Sequence, residues 1–281
     1  MPSTYAHYRF GQEIKRSLIG KEKRIVEKYH GLYDIGLHGP DILFYYRPLK
    51  ANSVNSVGFG MHERPGKEFF EHAIRVINRH KNKEQYLAYV YGVICHFALD
   101  MTCHGYIDEK IAESGISHTE IEAEFDRELM LHDGLDPIRH SLTGHIRPLR
   151  AYERVIAQFY PGVTPENVHR ALKGMIFYNG LLIAPSRFKR RLMYTVLRIT
   201  GNYKEIHGLF INYEKNPECA DSTLKLMSLY HTAKKRALAL IEEFGGDDGN
   251  ACCGEDCLND LYRYTFGSKL LKEKRDNNGK I

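Results

Sequence analysis

Residues 83–126 read KEQYLAYVYGVICHFALDMTCHGYIDEKIAESGISHTEIEAEFD, and the fold turns on how this stretch is spaced. Tyr86, Leu87, Val90, Val93, Ile94, Phe97 and Met101 nearly encircle a helix axis, the pattern of a helix packed on all sides rather than one lying on a surface. Into this apolar helix the sequence places His96 and Asp100. A carboxylate there is costly unless something pairs with it. Residues four apart share a helix face, so the His96 imidazole and the Asp100 carboxylate converge, and His104 continues the row. Imidazole with carboxylate is a common zinc ligand set. Taken singly, such a pair is more often a core histidine hydrogen-bonded to a core aspartate.

A second pair shifts that balance. Ser117 is a plausible N-cap for a new helix, on which His118 and Glu122 again stand four apart. The short link between the helices folds the two pairs into an antiparallel hairpin, bringing three imidazoles and two carboxylates together. Glu120, Glu124 and Asp126 read as the solvated face of the second helix.

The rest of the chain is that of an ordinary globular protein. Of 281 residues, 43% are hydrophobic and 27% charged, which excludes a disordered chain and allows one large core. No apolar run approaches about 18 residues, and MPSTYAHYRF does not resemble a leader, so the expected location is cytoplasmic. Cys95 and Cys103 read as small buried hydrophobes, whereas Cys252, Cys253 and Cys257 form a local cluster open to a metal-binding or disulfide role. The net charge of +5 is too modest to require a nucleic-acid partner. The one dense basic run, Arg187, Lys189, Arg190 and Arg191, reads as a solvated helix face, or else as a contact for phosphate or a lipid surface.

Taken in order, the spacing predicts a helix over 18–29, turns through Gly31, Gly36, Gly39 and Pro40, and an apolar run from Ile42 to Tyr46. Asp41 follows Gly-Pro, where it could cap a helix or present its carboxylate to a site. Residues 50–67 read as a loop ending at His62, followed by a helix over 66–80 in which His72 and His80 are surface residues. A loop over 133–148 carries His140 and His145. Helices are predicted at 149–159, 165–182, 186–198 and 220–244, a loop or short helix at 200–217, and a last helix near 256–272. Nothing reads as a strand.

In chain order, His7, Gly-Pro-Asp41, His62, His96-x-x-x-Asp100, His104 and His118-x-x-x-Glu122 resemble the ligand series of the zinc-dependent phospholipase C family, itself similar in fold and metal site to the fungal single-strand nucleases. The resemblance covers about residues 1–130 and rests on GLHGPDILFYYRP, AYVYGVICHFALDMTCHGYI and HTEIEAEFD. It implies an all-α protein: a single multi-helix metallohydrolase domain over 1–281, with the metal-site half in 1–130 and a helical remainder in 131–281. It also implies two or three zinc ions. Asp100 would bridge two of them, His62 and His96 would complete the first, and His104, His118 and Glu122 would hold another. Asp41 would be ligand or general base, and His7 would serve the third ion. Secreted members use the amine and carbonyl of an N-terminal tryptophan for that ion. This chain contains no tryptophan, so the amine of Met1 or Pro2 would have to substitute.

The activity so implied is phosphodiester hydrolysis of the phospholipase C type. The expected partner is a phospholipid or other phosphodiester, with peripheral membrane contact and no specific nucleic acid. Phe44, Tyr45, Tyr46 and Phe59 are candidates for the apolar cleft. The alternatives are a nuclease or small-molecule phosphodiesterase on the same fold, whose bases would stack on those aromatics, and a non-catalytic α-helical protein that keeps the metal for stability.

Overall fold

The structure, a computed structural model, describes residues 4–246 and 258–270. At its centre runs α6 (Lys83–Ser114), in which every residue from Tyr86 to Met101 is buried. Around it pack α1 (Thr4–Ser17), α2 (Gly20–Lys28), α3 (His30–Gly36), α5 (Gly66–Asn78), α7 (His118–His132), α8 (Arg150–Ile156) and α12 (Ala220–Gly245). That enclosure is why α6 shows no polar stripe. Among the described residues it is the one helix long and apolar enough to cross a membrane, and 94% of its apolar stretch is covered by the protein itself.

The hairpin forms as the spacing predicts. Gly115, at φ 72°, caps α6 through its N–H on the Ile111 carbonyl, and the Ser117 hydroxyl accepts from the Glu120 N–H to start α7. Where α3 crosses α6, the backbones nearly touch. A β-carbon at Gly92 would lie 2.3 Å from the Tyr33 carbonyl oxygen, and one at Gly36 2.3 Å from that of Tyr89. This crossing fixes where the chain leaves α3, and hence where the following Gly39–Tyr45 3-10 turn enters the core.

In the remainder, α9 (Pro165–Leu182), α10 (Arg187–Ile199) and α12 match their expected spans closely. Residues 203–209 form the short α11 (Tyr203–Ile206) and a 3-10 turn. One core cluster runs from Tyr5 to Phe266, and a small second one joins Ala184, Leu197 and Phe210.

Several expectations need correction. The turns expected at Gly31 and Gly36 fall inside α3, and Arg190 of the basic run is buried. Residues 4–17 already form α1, because Ala6, Phe10 and Ile14 recur every four residues and are buried. Residues 50–67 contain α4 (Asn55–His62), so His62 sits on a helix rather than a loop. Glu124 and Asp126 are buried, not solvated. The last predicted helix is, over its described part, a 3-10 turn Asp260–Arg263 with two isolated antiparallel bridges, Pro65–Thr265 and Tyr264–Leu270. Met1, Pro2 and the cluster of Cys252, Cys253 and Cys257 lie outside the described residues.

Candidate metal centre

Five elements deliver eight donors to one place. His7 comes from α1, Asp41 from the 3-10 turn, His62 from the end of α4, His96, Asp100 and His104 from α6, and His118 and Glu122 from α7. They form three groups, each with its donor atoms within 4.8 Å of one another: Asp41, His62 and His96; His7, His96 and Asp100; His104, His118 and Glu122.

Asp100 joins them. Its Oδ2 lies 3.2 Å from His96 Nε2 and 3.8 Å from His62 Nε2, while its Oδ1 lies 3.1 Å from His7 Nε2 and 3.7 Å from His104 Nε2. Asp41 lies 3.1 Å from His62 Nε2 and 3.7 Å from His96 Nε2. Glu122 Oε1 is 3.1 Å from His118 Nε2 and 3.6 Å from His104 Nε2.

The imidazoles are aimed by their far nitrogens. The Nδ1–H groups of His62, His96 and His104 donate to the carbonyls of Gly58, Leu37 and Phe266 at 3.0, 3.3 and 2.9 Å, which turns each Nε2 inward. Backbone acceptors of this kind are the usual outer support of metal-binding histidines. Gly39 is required here. At φ 46° it makes the turn, and a β-carbon would lie 2.6 Å from the His96 ring. His7 is placed by Asp126, whose carboxylate accepts from the Tyr5 and Ala6 N–H groups at 3.0 and 2.7 Å and so caps α1.

Close approach has not satisfied these atoms. Both Asp41 oxygens, Asp100 Oδ2, His96 Nε2 and Glu122 Oε2 are buried without a hydrogen bond. Buried polar groups are rarely left in this state. Burial by itself would raise the Asp100 pKa, but His104, His96 and His7 together hold it well below the usual carboxylate range. Burial opposes ionisation of Glu122 too, and His118 and His104 outweigh it. His104 is desolvated, yet Asp100 and Glu122 lift its pKa to about 9. Ionised carboxylates, inward imidazole nitrogens and unused lone pairs form a donor set that fits divalent cations of the zinc type.

The centre opens into a cleft of about 510 Å³, lined by Asp41, His62, His104 and His118 with Asp108, Glu63 and Lys269 at its rim. Phe44 and Phe59 stack at its side with ring centres 4.2 Å apart. Tyr45 points away and bonds Asn179, and Tyr46 does not line this cleft. His145 sits behind the centre rather than in the cleft, its Nε2 2.7 Å from that of His38 and its ring stacked on Tyr8. His72 and His80 both hold Gln158. Sequence reasoning missed Asp126 and the Phe266 carbonyl. No spacing signals a contact between His104 and a residue 162 positions away.

Searches of curated proteins and of solved structures found no match. The model of one family, described as zinc dependent phospholipase C, matches residues 6–166, a span that reaches beyond the hairpin through α8 into α9. Covering more than half of the chain and all eight of the converging donors, that match places the protein in the zinc-dependent phospholipase C family.

Proposed function

We propose that this protein is a zinc-dependent phosphodiester hydrolase acting on phospholipids, with two or three ions held by the eight converging residues. The observation that carries this reading is the Asp100 carboxylate, whose two oxygens face different imidazole sets while Oδ2 keeps a free lone pair. Asp41, His62, His96 and Asp100 Oδ2 would hold one ion, His104, His118 and Glu122 a second, and His7 with Asp100 Oδ1 would contribute to a third. Bound zinc supplies a coordinated water of lowered pKa and a Lewis acid for phosphoryl oxygens.

The protein's own groups do the rest. Asp41 lines the cleft and can orient the attacking water or accept its proton. His62, His104 and His118 reach the same cleft, so a phosphate seated there meets both ends of the cluster. Lys269 at the rim offers a cation to the phosphate, and the Phe44–Phe59 stack offers an apolar wall to the glycerol or acyl part.

Incubation with phosphatidylcholine in mixed micelles, beside single-stranded DNA and a chelator control, tests this reading. Chelator-sensitive release of the phosphorylated headgroup is expected. Cleavage of DNA without lipid would make the chain a nuclease, and metal bound without hydrolysis of either would make it a binding protein.

A further inference from the structure

Helix α10 lies outside the family match and has a face that the fold does not use. Its inner side is fixed. Arg190 is buried, donating to the Ile211 carbonyl at 2.8 Å and lying 3.9 Å from the centre of the Tyr213 ring, Leu197 packs on Phe210 and Ala184, and Tyr194 meets Phe210 edge-on. The helix therefore cannot roll to hide its opposite side. There Phe188, Leu192, Val196 and Ile199 are 78%, 54%, 47% and 81% exposed. At about 100° per residue these four fall within an arc of roughly 80°. On one flank of this stripe, and also exposed, stand Arg187, Arg191 and Arg198.

Single exposed apolar residues are ordinary, but a continuous stripe on an otherwise well-anchored helix marks a surface that something covers. The charge says what. No acidic residue occurs in the sequence between Glu166 and Glu205, so every charged residue of α10 itself is a cation. A second copy meeting this face antiparallel across a two-fold axis would set arginines against arginines. An anionic lipid surface instead takes the apolar side chains into the acyl boundary and the guanidinium groups onto phosphate, the pattern of helices that lie in the plane of an interface.

We propose that α10 is an interfacial helix that seats the protein on anionic phospholipid. The 3-10 turn His207–Leu209, which follows the helix and leads into its small core, packs against α7, the helix that begins with His118. The packing of α10 thus connects through α11 and this turn to the helix that carries His118 and Glu122. The stripe is absent from the core pattern of the chain and would serve a lipid surface whether or not the centre hydrolyses it.

Co-sedimentation of the full chain with vesicles tests the assignment, using phosphatidylcholine alone and phosphatidylcholine mixed with phosphatidylglycerol. Wild type is expected to bind the anionic vesicles preferentially and to release as the salt concentration rises. Phe188→Ser with Ile199→Ser, and separately Arg191→Gln with Arg198→Gln, should each weaken binding about tenfold or more. Both variants should cleave a soluble diester, bis(p-nitrophenyl) phosphate, as wild type does. Vesicle binding without any diester cleavage would leave the docking helix standing while the hydrolase reading fell. Failure of wild type to prefer anionic vesicles, or unchanged binding in both variants, would overturn the assignment. So would a dimer that the serine variant splits, since the stripe would then belong to a second copy.

Discussion

Asp100 and Asp41 are both buried carboxylates with unused lone pairs, yet their positions predict different losses. Asp100 lies within 3.8 Å of four imidazoles, those of His7, His62, His96 and His104, so Asp100→Asn should shed bound metal and bring turnover below detection. Asp41 faces the cleft from one side, so Asp41→Asn should lower turnover about 10²- to 10⁴-fold while most of the metal stays. Equal metal loss in both variants, read by elemental analysis, would make Asp41 a ligand only. A second prediction concerns His38 and His145. Burial lowers both, His145 to about 3, with their mutual contact adding to the effect on His38. Below about pH 6.5 the unfolded chain therefore takes up protons that the folded pair refuses, so the stability present above that pH is lost as pH falls toward 3. Near pH 5 His145 alone should account for about 1–2 kcal/mol of the loss. Urea titrations at pH 7 and pH 5 should show a smaller drop for His145→Gln than for wild type. The convergence of His96, Asp100, His104, His118 and Glu122 was legible in the sequence because histidine and carboxylate recur at four-residue spacing on two successive helices, whereas His7, Asp41 and His62 entered through the family resemblance. The His38–His145 pair was not legible, because its members are 107 positions apart and share no element.

Among the elements, α6 and α7 followed directly from periodicity and capping, while α1 and α4 did not. Polar and aromatic residues break the stripe of α1, and α4 lies in a stretch whose Asn, Ser and Gly content resembles a turn. What secures α1 is tertiary. Asp126 takes the place of a cap from 120 positions away, which local sequence cannot report. Asp126→Ala would leave two buried N–H groups without that acceptor and should destabilise the fold by about 2–4 kcal/mol. On the proposed reading it should also weaken metal binding at His7 before it does so at the other groups. Loss of stability with full metal content would mean that α1 holds His7 by packing alone. The basic run on α10 was legible as a feature but not as a face. Only the burial of Arg190 beneath the helix, with Phe188 and Ile199 outside it, separates its two sides.

Over the whole molecule, the centre ties α1, the Gly39–Tyr45 turn, α4, α6 and α7 together, so cation binding should act as a staple across the fold. A ligand at a thousand times its Kd stabilises the folded state by about 4 kcal/mol, and chelation should lower Tm by several degrees. Without a cation, oxygens of Asp41, Asp100 and Glu122 stay buried with no hydrogen-bond partner. Mixed helical composition and a cluster of histidines were visible from the chain alone, whereas the closing of the centre by residues 264–270 depends on long-range contacts at Pro65 and His104. The most direct measurement is metal content per chain, by mass spectrometry of protein purified without added metal or chelator, with His96→Ala alongside. Two or three zinc ions per wild-type chain, and fewer in the variant, is the predicted result. A folded wild-type chain that carries no transition metal and does not take up zinc on titration would contradict the account at its centre.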